Sequence, residues 1–167
     1  MTVTIDSEVT AGVGIREADR THRAHVIELL NTALADTIDL KTQAKHAHWN
    51  VKGRDFLPLH QLFDQIAAHL EAASDVIAER IAALGGMAKG TARLVIERSE
   101  LEEYDLNATD GREHVRALSH RMTKLTHAYE AGIAHCVECA DAVTADLFTG
   151  IAREAQKDLW FLEASSR

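Results

Sequence analysis

Apolar residues recur at helical spacing over most of the chain, and the longest unbroken stripe runs through Leu59, Leu62, Phe63, Ile66, Leu70, Ala73, Ile77, Ile81 and Leu84. Steps of three and four hold these positions on one side of a 3.6-residue period. Pro58 suits the first turn of a helix and Gly85-Gly86 is a C-terminal stop, so the segment after Asp55 is predicted to be one long helix. The same period through Ile27, Leu30, Leu34 and Ile38 predicts an earlier helix from about Thr21 to His48 or Trp49, with residues 50–55, including Gly53, as the turn between the two. Thr109 or Asp110 is placed to cap a third helix, with Glu113 completing a capping box, and the pattern continues through Val115, Leu118, Met122 and Leu125 to about Glu138. Asp141 is placed to cap a fourth, with Val143, Leu147, Ile151, Leu159 and Leu162 as its apolar positions. A long connection over 87–108 separates the second helix from the third, and a short helix is expected in it around Glu100 to Tyr104. Residues 1–15 carry no helical pattern and are expected to be a flexible arm, leaving 16–167 as one domain. The prediction is an all-α four-helix bundle with one long crossover.

The polar side of the second helix is unusual. From Asp55 to Glu79 there is no Lys or Arg, yet the stretch holds Asp55, Asp64, Glu71, Asp75, Glu79, His60 and His69. At about 100° per residue, His60, Asp64, Glu71, Asp75 and Glu79 fall within roughly 100° of one another, opposite the apolar stripe. A solvated face is the ordinary reading of charges on a helix, but such a face normally carries Lys, Arg and Gln. Here the interleaved residues are Ala67, Ala68, Ala72, Ala78 and Ala82, small enough for another helix to come close. Acids and imidazoles without basic partners suggest a cation. His60 and Asp64 are one turn apart, as are Asp75 and Glu79, but the pairs are separated by 11 to 15 residues, or roughly 16–22 Å along the axis. One helix cannot close both pairs on one metal. Two copies lying antiparallel about a two-fold axis near His69 and Leu70 could, giving two equivalent sites shared between subunits. His48, in the run His46-Ala47-His48-Trp49 that closes the first helix, is a further ligand candidate; His46 and His48 point apart on a regular helix and cannot chelate together. Imidazole with carboxylate suits iron, zinc or manganese.

Composition limits the alternatives. One Pro, nine Gly and 46% apolar residues in 167 suit a compact helical domain with a real core. A net charge of −8 opposes a general attraction to nucleic acid or anionic membrane. No apolar run is long enough to span a bilayer, and the start Met1-Thr-Val-Thr-Ile-Asp lacks the basic and apolar regions of a signal peptide, so a cytoplasmic location is expected.

The sequence His48-Trp49-Asn50, the twelve-residue step from His48 to His60, then Asp64 and Asp75-x-x-x-Glu79-Arg80 closely resemble the signature of the Dps family, the miniferritins. The likeness extends through the Leu84-Gly85-Gly86 stop to Asp158-Leu159-Trp160-Phe161-Leu162 and covers about residues 20–165. It implies a ferritin-like bundle assembled as a hollow homododecamer that oxidises ferrous iron, preferably with hydrogen peroxide, and stores the ferric product against oxidative stress. Carried over, His48, His60 and Asp64 of one subunit face Asp75 and Glu79 of another around two iron ions, with zinc a competitor. Trp49 matches a family tryptophan that can absorb stray oxidising equivalents, a role weighed against plain packing. Ordinary di-iron ferritins need Glu-x-x-His on two helices, and the sequence contains none.

In the same family iron enters through three-fold pores lined by acids near the start of the last helix. Asp146 matches the deepest of these; Glu138 and Asp141 are near enough to contribute without matching family positions. Cys136-Val-Glu-Cys139 follows His135 and is read first as a pair of small half-buried residues, with a metal or disulfide site as the alternative. DNA-binding members use a Lys- and Arg-rich terminal arm, whereas residues 1–15 hold Asp6 and Glu8 and no basic residue, and beyond Glu163 the one basic residue is Arg167. DNA binding is therefore not expected near neutral pH. A DNA-coating nucleoid protein and a passive zinc or copper sink are the competing functions.

Overall fold

A computed structural model describes residues 17–165; the expected arm at 1–15 lies outside them. The described residues form five helices, α1 (Glu17–Asn50), α2 (Phe56–Ala83), α3 (Ala92–Arg98), α4 (Gly111–Glu138) and α5 (Ala142–Ser165), and the fold is all-α. α1 packs along α2 and α4 along α5, and the two hairpins close on each other through α1 with α4 and α2 with α5. The connection between α2 and α4 runs the length of the bundle, so that α4 begins beside the start of α2. There the backbone N–H of Lys52 donates to Thr109 O at 3.2 Å, and a side chain on Gly111 would meet Leu59 Cδ1 at 2.5 Å. The architecture is a ferritin-like four-helix bundle with a single crossover, as the pattern predicted.

The stop and start signals act as their chemistry requires. Gly85 takes φ +82, in the left-handed region that glycine enters without penalty, and its N–H and that of Gly86 bond back to Ala82 O and Ile81 O. Of the two candidate caps for α4 it is Asp110 that serves, its carboxylate accepting from Arg112 N while Glu113 reaches back to Asp110 N. Asp141 caps α5 by accepting from Thr144 N at 3.0 Å. Its carboxylate also meets Arg80 at 3.0 Å, tying the end of α2 to the start of α5. This carboxylate thus serves both the α5 cap and the ion pair with Arg80.

The core runs through Leu30, Leu34, Phe63, Ile66, Ile77, Leu118, Met122, Tyr129 and Phe148, all fully or almost fully buried. Tyr129 brings a hydroxyl into it. Thr37 uses its own hydrogen on Ala33 O, so the tyrosine donates to Thr37 Oγ1 at 2.6 Å and no polar atom is stranded. On α5 the inward positions are Thr144, Ala145, Phe148, Ala152, Ala155 and Leu162, whereas Val143, assigned to the core from its spacing, is 64% exposed.

The short helix in the connection is at Ala92–Arg98, not at Glu100 to Tyr104. The reason is tertiary. The carbonyls of Glu102 and Glu103, which a helix would use internally, accept from Arg121 at 3.2 and 2.6 Å, and Lys124 bonds the carbonyl of Glu100. The N–H of Glu100 donates to the buried Asp36 at 2.7 Å. These bonds hold 99–104 extended over α1 and α4 and outweigh the local helix preference of its glutamates.

Candidate metal centre on the first helix pair

His48 sits at the end of α1 and His60 at the start of α2, and the tight turn between the helices brings them face to face. Their rings stack with centroids 3.7 Å apart and planes 19° from parallel. Each Nδ1 lies at hydrogen-bond distance from the other residue's backbone carbonyl, His48 Nδ1 to His60 O at 2.7 Å and His60 Nδ1 to His48 O at 2.8 Å. A carbonyl only accepts, so both Nδ1 atoms carry the proton. In a neutral ring held this way Nε2 is the atom with the free lone pair, the one through which an imidazole binds a cation.

Asp64 adds a carboxylate one turn along α2, its Oδ1 4.0 Å from His48 Nδ1. It is not without a basic partner, and the reading of this face as uncompensated is corrected. Lys45 of α1 lies 2.6 Å from Asp64, and Lys41 lies 2.5 Å from Glu71. The hydrogen bond from Lys45 holds the Asp64 carboxyl below its ordinary range, so it is available as an anionic ligand. The missing lysines of α2 are supplied by its neighbour. Among the described residues, Asp75 and Glu79 form no such ion pair, and both are exposed. They stand 11 and 15 residues along α2 from Asp64 and 15 and 19 from His60, roughly 16–29 Å away. One chain thus brings His48, His60 and Asp64 together and does not bring Asp75 and Glu79 to them.

The small residues of this face divide. Ala67 and Ala78 pack into the chain's own core, while Ala68, Ala72 and Ala82 remain exposed. Trp49 is 69% exposed with Lys45 Nζ 5.8 Å from its ring centre, so it does not pack in this chain's core. Leu57 is 59% exposed and lies within about 20° of Asp64 and Asp75 around α2.

The other sequence candidates lie elsewhere. Asp146 is exposed near the start of α5. Cys136 and Cys139 are free thiols; burial pushes the Cys136 thiol up to about 11, which makes it inert, and Cys139 Sγ lies 3.5 Å from His135 Nε2. His46 packs edge-on against Tyr104 rather than beside His48. One cluster was missed: His69, Glu154 and Asp158 meet between α2 and α5. The i, i+4 spacing of Glu154 and Asp158 was a signal, but nothing in the sequence pairs them with His69.

The family model of the ferritin-like domain matches residues 27–166. The DNA protection during starvation protein of Agrobacterium fabrum is 38% identical over 142 residues, which are 85% of this chain and 88% of that protein. The chain belongs to the ferritin-like Dps family. Another Dps-family relative, DNA protection during starvation protein 1 of Deinococcus radiodurans, is 32% identical over 139 residues, 83% of this chain and 67% of that protein. Among solved Dps structures, that of Mycobacterium smegmatis superposes with a TM-score of 0.83 at 30% identity, covering 87% of both chains. The Vibrio cholerae Dps, described as a member of a broad superfamily of ferritin-like diiron-carboxylate proteins, gives 0.84 at 26% identity, over 89% of this chain and 93% of that one. Among the described residues of this Dps chain, no helix is long and apolar enough to cross a membrane.

Proposed function

We propose that this chain is an iron-oxidising, iron-storing member of the Dps family whose catalytic centre is completed across a two-fold axis. The observation that carries the reading is the reciprocal histidine pair, whose Nδ1 atoms both meet backbone carbonyls and which has Asp64 one turn away but neither Asp75 nor Glu79 beside it in its own chain. Asp75 and Glu79 of a second copy complete it. The exposed Trp49, Leu57, Ala68 and Ala72 around the site provide the apolar and small surface that a helix-to-helix interface uses, and twelve such chains close the shell. Ferrous iron is the substrate. Two ferrous ions each give one electron to one peroxide, which takes up two protons and leaves as two waters, so no one-electron step releases hydroxyl radical. His48 and His60 hold iron through nitrogen, the carboxylates neutralise the ferric product, and Trp49 is placed to absorb a stray oxidising equivalent. Zinc competes for the same donors. Anaerobic addition of ferrous iron followed by peroxide, with ferric absorbance and shell size read together, tests this; ferric iron precipitating outside an intact shell would count against it.

Two further outcomes follow. Asp146 near a three-fold axis would appear three times around a narrow channel and focus the field on incoming cations. Asp146→Asn should slow oxidation severalfold at low iron while leaving the shell assembled, as stopped-flow absorbance would show. An unchanged rate moves the entry route elsewhere. Protection of DNA should be chemical and without contact, given a charge of −8 per chain and an arm free of basic residues. With plasmid, ferrous iron and peroxide, the wild type should prevent nicking without retarding the plasmid on a gel at about 0.15 M salt. A variant lacking His48, His60, Asp75 and Glu79 should lose most of that protection; retardation by the wild type would show physical coating instead.

A further inference from the structure

On the side of α2 that faces α5, about 180° around the helix from His60, His69 meets two carboxylates. Its Nδ1 stands 3.0 and 3.1 Å from the two oxygens of Asp158 and 3.4 Å from Glu154 Oε1. The three donor atoms lie within 4.8 Å of one another. A metal holding donors at about 2.1 Å and about 90–109° apart sets those donors about 3.0–3.4 Å from each other. The spacings from His69 to the two carboxylates fall in this range.

The charges also call for a cation. Glu154 and Asp158 are one turn apart on α5, where like charges repel, and the Asp158 side chain is only 1% exposed. Apart from His69, the cationic neighbours are Arg153 and Lys157, the latter half-exposed and bonded at 3.0 Å to the same Glu154 oxygen that faces His69. Beside the cluster opens a cavity of about 220 Å³ whose walls include Leu70, Ala73, Val76, Tyr129, Gly150 and Ile151. Apolar walls lower the local dielectric and strengthen the hold of two carboxylates on a dication. The cavity leaves room for water or an exchanging ligand at the open coordination positions.

We propose that His69, Glu154 and Asp158 form a second metal site, one per chain, for a divalent first-row transition ion held by one imidazole nitrogen and two carboxylates. All three donors belong to one chain and lie away from the proposed shared centre. The site therefore goes beyond the iron-oxidising function and does not depend on it. Zinc(II) and iron(II) fit this donor set, and zinc(II) is the probe because it does not change oxidation state.

The test uses assembled protein stripped of metal by a chelator, in a background with His48, His60, Asp75 and Glu79 replaced by alanine. Calorimetric titration with zinc chloride should find one equivalent per chain that Glu154→Gln and His69→Gln each weaken about tenfold or more. Cobalt(II) added to the same background should give visible absorption bands that both variants lose. Glu154→Gln keeps the His69–Asp158 bond, so it decides the matter even where His69→Gln assembles poorly. Zinc stoichiometry and affinity unchanged by Glu154→Gln in an intact shell would overturn the proposal and leave the cluster as a structural hydrogen bond. Ferrous oxidation by Glu154→Gln in the otherwise native chain reads the shared centre separately and should proceed at the wild-type rate.

Discussion

A His48→Ala/His60→Ala variant and an Asp75→Ala/Glu79→Ala variant should each lose fast ferrous oxidation, by on the order of 100-fold, and reassembled mixtures of the two should regain it. Each variant destroys a different half of the proposed centre. In a mixed dimer one site combines both damaged halves and the other combines both intact halves, so one site of two survives. Random equal mixing makes half of the dimers mixed, and about a quarter of the wild-type oxidation should return. The measurement is the initial rise in ferric absorbance after peroxide, with exchange of differently tagged subunits verified in parallel. A centre built within one chain predicts no recovery at any mixing ratio.

The largest effect on stability should come from Phe63→Ala. Phe63 is fully buried and adjoins Asp64 in sequence, with His114 across from its ring at a centroid distance of 6.2 Å. Truncation leaves a cavity between helices that also hold the histidine pair. A loss of roughly 3–5 kcal/mol is expected, read as a fall in the urea midpoint with little change in the slope of the transition. A shift of less than about 0.5 kcal/mol would mean that the bundle collapses around the gap, which close-packed interiors rarely do. Because the proposed shell would link folding to assembly, wild type and variant should be compared at one subunit concentration.

Much of this structure is legible in the sequence because it is local. The stripe through Leu59, Phe63, Ile66, Leu70, Ile77 and Ile81, the Asp110–Glu113 box and the glycine stop depend on residues within a turn or two of one another. What was misread depends on distant partners. The segment after Ser99 is held extended by Arg121, Lys124 and Asp36, none of which its own composition announces. Val143 and Phe148 both suit an apolar position on α5, and the approach of α4 decides that Phe148 goes in. The ligand types of the candidate centre were readable from spacing, yet their electrostatic setting was not. Lys41 and Lys45 precede Glu71 and Asp64 by thirty and nineteen residues and meet them because α1 and α2 fold back on each other.

Those lysines bear on the proposed shared centre. On the proposed two-fold face, carboxylates of two copies would crowd together before any iron arrives. The Lys45 ammonium, 2.6 Å from Asp64 and within reach of the Trp49 ring, acts as an exchangeable internal counter-ion. In the proposed shell it would offset that crowding, so that assembly and loading would be separate events. Being exposed, the ion pair is weak, and an arriving dication can displace the lysine toward the indole without unfolding anything. On the proposed reading, the place meant for iron is held by a charge of the chain's own.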